Sequence, residues 1–160
     1  MKKLLSVLLI TVLAVALLTG CGSDPVYDDI YNYLNVEMTE VNENYTKITT
    51  EVGKWETITD DADLKKSIEE TLLPLVNESL EKLKEINPST EEIKAIKEKY
   101  VKVMENYKAG FEALAKGCET QSDETINEGT QKLEEALKVL DDYNKSLEEV
   151  ASKHGAEIEY

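Results

Sequence analysis

The chain has 160 residues, 33 Asp and Glu against 18 Lys and Arg, and a formal net charge of -15. That length suits one domain with room for a core, and the acidic balance excludes a nucleic-acid binder because no basic patch exists to meet phosphates. One His and two Cys leave little material for metal or thiol chemistry, and no Gly-rich phosphate loop is present.

The chain opens Met1-Lys2-Lys3, followed by an apolar run from Leu4 to Leu17 broken only by Ser6 and Thr11, and then by Leu18-Thr19-Gly20-Cys21. A run this short, with small residues ahead of a Cys, reads as a cleaved export signal rather than a spanning helix. The Leu-Thr-Gly-Cys tetrad resembles the lipobox of bacterial lipoproteins. The resemblance implies cleavage between Gly20 and Cys21 and a diacylglycerol, typically with palmitate, on Cys21 Sγ. A sulfur is suited to that position because it is the nucleophile toward a lipid donor. Beyond this covalent lipid no cofactor is expected. Loss of Lys2 and Lys3 with residues 1–20 takes the formal charge from -15 to -17. Residues 21–25 then form a short tether that holds the folded part near the bilayer, whose anionic headgroups repel an acidic surface. The sequence contains no Arg; this resembles the residue usage of low-GC Gram-positive bacteria and points to the outer face of such a cell membrane.

After the tether, apolar residues recur three and four apart throughout. A first helix is expected from Asp24-Pro25, with Asp24 as N-cap and a seam of Tyr27, Tyr31, Leu34, Met38, Val41, Tyr45, Ile48, Val52 and Trp55. Unbroken alternation of threes and fours predicts one continuous helix. A second follows the acids at Asp60, Asp61 and Asp63, with Leu64, Ile68, Leu72, Leu75, Val76, Leu80, Leu83 and Ile86 on its apolar face. Pro74 inside it predicts a kink near residues 70–74. A third is expected from a Ser89–Glu92 capping box to a stop at Gly117, and a fourth from Ser122 to Gly155. Together they predict an all-α fold, an up-down-up-down antiparallel four-helix bundle over residues 26–155 about 40 Å long, with a frayed tail over 156–160.

In such a bundle Leu114 should lie level with Ile126, so that Gly110 and Gly129 fall at one height. Trp55 is expected to fill the space they leave. That layer, with Tyr45, Tyr107 and Tyr143, is the candidate groove; the ordinary alternative is large-against-small packing with tyrosine hydroxyls reaching solvent. Cys118 has no partner inside a chain whose other Cys carries lipid, so it is either a buried small residue or an intermolecular disulfide. His154 lacks a Glu three residues before it and has no second His, so no bundle-type metal centre is expected. The Asp60–Asp63 run lacks the central Gly and terminal Glu of a calcium loop. Adjacent acids such as Glu134-Glu135 point about 100° apart on a helix and make no chelating face.

The whole chain resembles small surface lipoproteins of Gram-positive bacteria with a helical domain of unknown function, a resemblance that supplies no catalytic residues. The expectation is a membrane-anchored, non-enzymatic binding or interaction module of the cell envelope, its partner an envelope protein or a cationic ligand. The alternatives are an uptake accessory that captures a cation or cationic peptide, and a prophage-type surface-exclusion or immunity lipoprotein.

Overall fold

The computed structural model describes residues 15–17, by backbone alone, and residues 24–159. The expected cleavage and lipidation positions, Gly20 and Cys21, lie outside the described residues. The described chain is all-helical apart from one short strand pair: α1 (Pro25–Asn32), α2 (Thr39–Gly53), α3 (Asp61–Ser67), α4 (Leu73–Glu85), α5 (Glu91–Thr120) and α6 (Asp123–Lys153), with strands β1 (Val15–Leu17) and β2 (Glu157–Glu159) pairing antiparallel.

The six helices fall into four runs. Asp24 caps α1 as expected, its carboxylate accepting from the Val26 amide at 2.9 Å, with Pro25 at the first turn. The first run is not a uniform α-helix, because a π turn over Tyr33–Glu37 separates α1 from α2 and donates Met38 N–H back to the Tyr33 carbonyl. The extra residue shifts the buried phase. Tyr31, expected on the seam, is 41% exposed, while Ile30 and Tyr33 are fully buried in its place. Beyond the π turn the expected residues Met38, Val41, Tyr45, Ile48, Val52 and Trp55 are all buried.

The second run behaves alike. The disturbance expected from Pro74 takes the form of a π turn over Ile68–Leu72 joining α3 to α4. The wider turn accommodates a proline that would otherwise clash with the carbonyl four residues back. Leu64, Ile68, Leu72, Val76, Leu83 and Ile86 are buried, with Leu75 and Leu80 partly so. Asp60 caps α3 by accepting from Ala62 N–H at 2.7 Å.

The third helix starts differently from the expected capping box. Thr90 is the N-cap and makes no side-chain cap of its own. Asp29, buried on α1, does the work instead: Oδ1 accepts from Ser89 N–H at 3.0 Å, and Oδ2 accepts from Thr90 N–H at 2.8 Å and Thr90 Oγ1 at 2.6 Å. Glu92 turns away to Lys153 and His154. Gly117 does not end the helix; α5 runs to Thr120 and stops at Gln121 in the left-handed region, φ 52°. Ser122, where the fourth helix is expected to begin, caps α6 by accepting from Thr125 N–H. Gly155, at φ +72°, closes it, with Ala156 N–H returning to the Ala151 carbonyl at 2.9 Å. The tail beyond is not frayed: Ala156 is buried and Glu157–Glu159 is a strand.

Cross-contacts give the directions. Lys82 meets Glu40 and Trp55 meets Ser67, so the second run reverses the first. Lys97 Nζ donates to the Ile86 carbonyl, and Lys65 reaches Glu119, so α5 reverses α3–α4. Lys99 pairs with Asp142 and Lys153 with Glu92, so α6 reverses α5.

Burial raises the Asp29 carboxyl, but hydrogen bonds from Thr90 and Ser89 outweigh it and hold the group below its ordinary value. A depressed carboxyl contributes stability above its unfolded pKa and loses that contribution as pH falls through the folded one. Asp29→Asn, which keeps the shape but loses the charge, should therefore lower stability by about 1–3 kcal/mol at neutral pH, in urea melts. The gap to wild type should narrow below about pH 4.

Candidate functional site

The residues expected to line a groove are instead built into the core. Rings from different helices meet in a row: Trp55 against Phe111 edge-on at 6.0 Å, Phe111 stacked on Tyr107 at 5.9 Å, and Tyr107 tilted on Tyr45 at 6.2 Å. Further along, Tyr100 meets Tyr143 edge-on at 5.0 Å. Tyr45, Tyr107 and Tyr143 are at most 2% exposed and Trp55 only 6%. The hydroxyls expected to reach solvent at the seam edges therefore do not.

Those buried hydroxyls form one neighbourhood. The Tyr33 hydroxyl lies near that of Tyr143, and Tyr107's near Tyr45's. Burial pushes every one of these phenols above its ordinary pKa. The Tyr33, Tyr100 and Tyr107 hydroxyls complete no hydrogen bond at normal length and angle. They stay protonated at any physiological pH, so the row offers neutral O–H groups and no base.

Gly110 and Gly129 do face one another, as expected. Their role is a close helix approach, not a niche for Trp55. A Cβ on Gly110 would sit 2.6 Å from Leu133 Cδ2 and 3.1 Å from the Gly129 carbonyl oxygen; one on Gly129 would sit 2.9 Å from both the Gly110 carbonyl oxygen and the Leu114 nitrogen. Leu114 and Leu133 cover the pair. Gly117, seven residues after Gly110, repeats the pattern against Ile126. The level is thus Leu114 with Gly129 and Gly117 with Ile126, three residues from the expected Leu114–Ile126 pairing. Trp55 spends its indole on Ser67, donating Nε1–H at 3.1 Å, while Ser67 Oγ donates to Glu51 at 2.8 Å.

Cys118 is free and 6% exposed, and its thiol is pushed up by burial and by the nearby Asp61 carboxylate. That environment suits a small buried residue. His154 caps the end of α6 between two carboxylates, Nδ1 2.8 Å from Asp24 Oδ2 and Nε2 3.2 Å from Glu92 Oε2. The hydrogen bond to His154 is the main reason Asp24 lies below its ordinary pKa, and Lys153 the main reason Glu92 does. Among the described residues no group of three or more His, Cys, Asp or Glu is placed to hold a metal ion.

Open hollows lie elsewhere. One of about 470 Å³ runs between α2 and the second run, with Thr46, Thr50, Lys54, Glu70 and Pro74 on its walls. Both threonine hydroxyls donate to carbonyls one turn back, at Asn42 and Thr46, and so present only acceptor lone pairs outward. A second, of about 520 Å³, lies beside β2. Neither was legible in the seam pattern, because both are made by the outward faces of elements whose pairing the pattern does not specify.

The glycines give a sharp stability contrast. Gly129→Ala would meet backbone atoms on α5 and should cost about 1–3 kcal/mol. Gly53→Ala has open space around it and should add about 0.5–1 kcal/mol. Tyr100→Phe removes a buried hydroxyl without a partner, so it should be neutral or stabilising by up to about 1 kcal/mol. Urea-midpoint shifts of the three variants check the set.

No family model, no curated protein and no solved structure matches the chain.

Proposed function

We propose that this is a lipid-anchored, extracytoplasmic helical lipoprotein that works as a non-enzymatic binding module of the cell envelope. Its fold on this reading is an up-down-up-down antiparallel four-helix bundle that begins directly after the lipidated residue. The observation that carries the reading is the run of Lys2-Lys3, apolar Leu4–Leu17 and Leu18-Thr19-Gly20-Cys21.

Three features support it. The helical region opens with its cap at Asp24, only three residues after Cys21, so the N-terminal end of α1 is held against the anchor. Among the described residues no helix is long and apolar enough to cross a membrane. The core is packed with aliphatic and neutral aromatic side chains. Its most perturbed phenols are protonated, and the two strongly held carboxylates of the interior and its end, Asp29 and Asp24, are committed to helix caps. A catalytic acid–base pair needs groups free to exchange protons near neutrality, and these are not.

A second reading, capture of a cationic peptide, is favoured by one observation: acids outnumber basic residues 33 to 18, and the surplus is carried on the outer helix faces.

Envelope fractionation and intact mass test the main reading together. The mature protein should start at Cys21 with acyl chains attached and sediment with membranes. Cys21→Ala should leave the membrane fraction and retain its leader. An unlipidated wild-type protein, or one with residues 1–20 still attached, overturns the proposal.

A further inference from the structure

We infer that the edge of β2, with the hollow beside it, is a docking site for an extended cationic peptide, opened when the leader is removed. The inference deepens the proposed function and rests on leader cleavage, because residues 15–17 leave with the leader.

The first observation is that the edge already holds a strand. Val15–Leu17 lies antiparallel to Glu157–Glu159, in the register Val15↔Glu159, Ala16↔Ile158 and Leu17↔Glu157. β1 also touches α1 and the π turn at Tyr33–Glu37, so the strand is seated against the helical body as well as against β2. Cleavage after Gly20 takes this partner away and leaves β2 with unpaired backbone groups along one side. An exposed edge of that kind is a template for another extended chain.

The second observation is the hollow of about 520 Å³ lined by the end of α6 and by β2 itself. Its floor is apolar and buried, from Ala151, Ala156 and the partly buried Ile158; its rim is acidic and exposed, from Glu148, Glu157 and Glu159. Backbone pairing with β2 supplies affinity without regard to sequence, and a hollow with an apolar floor and carboxylate rim selects the side chain that enters it. A lysine fits both parts, its methylene stem on the floor and its ammonium at the rim. An acidic peptide meets three carboxylates and a body of formal charge -17 once the leader is gone. The occupant is therefore an extended segment with small or branched apolar residues and a flanking lysine.

Contacts other than β1 also place the tail, since Ala156 is buried and the partly buried Ile158 packs against the core. Ala156 N–H is fixed to the Ala151 carbonyl at 2.9 Å, and Gly155 takes the φ of +72° that the reversal after α6 requires. Those bonds set where the strand leaves the helix, whatever lies against its far edge.

The test uses the processed lipoprotein purified from membranes in detergent, after its N-terminal mass has been read. Three synthetic peptides are added: Lys-Val-Ala-Leu-Lys, Glu-Val-Ala-Leu-Glu, and Lys-Val-Pro-Leu-Lys, in which the proline lacks an amide donor. The first should bind saturably and slow amide exchange at Glu157–Glu159. The acidic and proline peptides should bind at least about tenfold more weakly, and added salt should weaken the first. The variant Ile158→Pro, at a tail position outside the helices, should lose binding while the helical circular dichroism is unchanged. Glu157→Lys with Glu159→Lys should reverse the charge preference. Equal binding of the basic and acidic peptides, or free exchange of the tail amides at millimolar basic peptide, overturns the docking site while leaving the anchor intact. A mass that retains residues 1–20 overturns the anchor reading and with it the opening of the edge.

Discussion

The buried carboxylate of Asp29 ties the chain together. Helix α5 starts with amide groups that no turn of its own can satisfy. The answer comes from sixty residues earlier, where one carboxylate accepts from two successive amides and a hydroxyl. Burying that charge costs several kcal/mol unless hydrogen bonds and the positive end of a helix dipole offset it. Here both do, which is why the carboxyl stays ionised despite its burial. The consequence is geometric. The starts of α1 and α5 are locked together, so the first run and α5 travel in the same direction in a fixed register. Tyr45 then falls beside Tyr107 and Trp55 beside Phe111.

Four helical runs and most of their buried residues were legible in the spacing of apolar residues, because one buried face is all that such spacing encodes. The cap at Asp24 and the start of the fourth run at Ser122 were legible too, since such signals are local. What escaped was set by contacts between runs. Ser89 with Glu92 has the pattern of a capping box, but a carboxylate from α1 outcompetes it. Gly117 looks like a stop, yet the approach of Ile126 needs the missing Cβ inside the helix. The π turns sit between these cases. Leu64, Ile68, Leu72 and Val76 follow one another at steps of four, and in a straight α-helix each such step drifts about 40° around the axis. One wide turn at Ile68–Leu72 brings them back into line. The same holds for Ile30, Leu34 and Met38 around Tyr33–Glu37, a run of fours that Tyr31 masks by sitting four residues after Tyr27.

The candidate site divides the same way. The aromatic layer was visible as a set of residues, and the structure brings most of that set together, but as packing without an opening. Tyrosine hydroxyls were expected at the edges because a phenol seeks a polar partner. The rings instead pack on one another across the runs, as Tyr45 does on Tyr107 and Tyr100 on Tyr143. The tail hollow had no sequence signal at all. It depends on the reversal at Gly155, which folds the tail back beside the end of α6 and which periodicity does not report.

Charge and geometry converge at one end of the molecule. Lysines spread over the surface link separate runs, as at Lys82–Glu40 and Lys99–Asp142, but such exposed pairs contribute little each and leave the acidic surplus intact. The end where Asp24, Glu92, Lys153 and His154 meet is also where α1 begins and α6 gives way to β2. On the anchored reading this end faces the bilayer, with two residues between Cys21 and Asp24, a span of at most about 11 Å. A folded partner does not fit in such a gap, whereas a single extended strand, spaced about 4.8 Å from its neighbour, does. The shortness of the tether therefore selects an extended occupant for the β2 edge, and the repulsion between an acidic body and anionic headgroups favours one that brings positive charge between them.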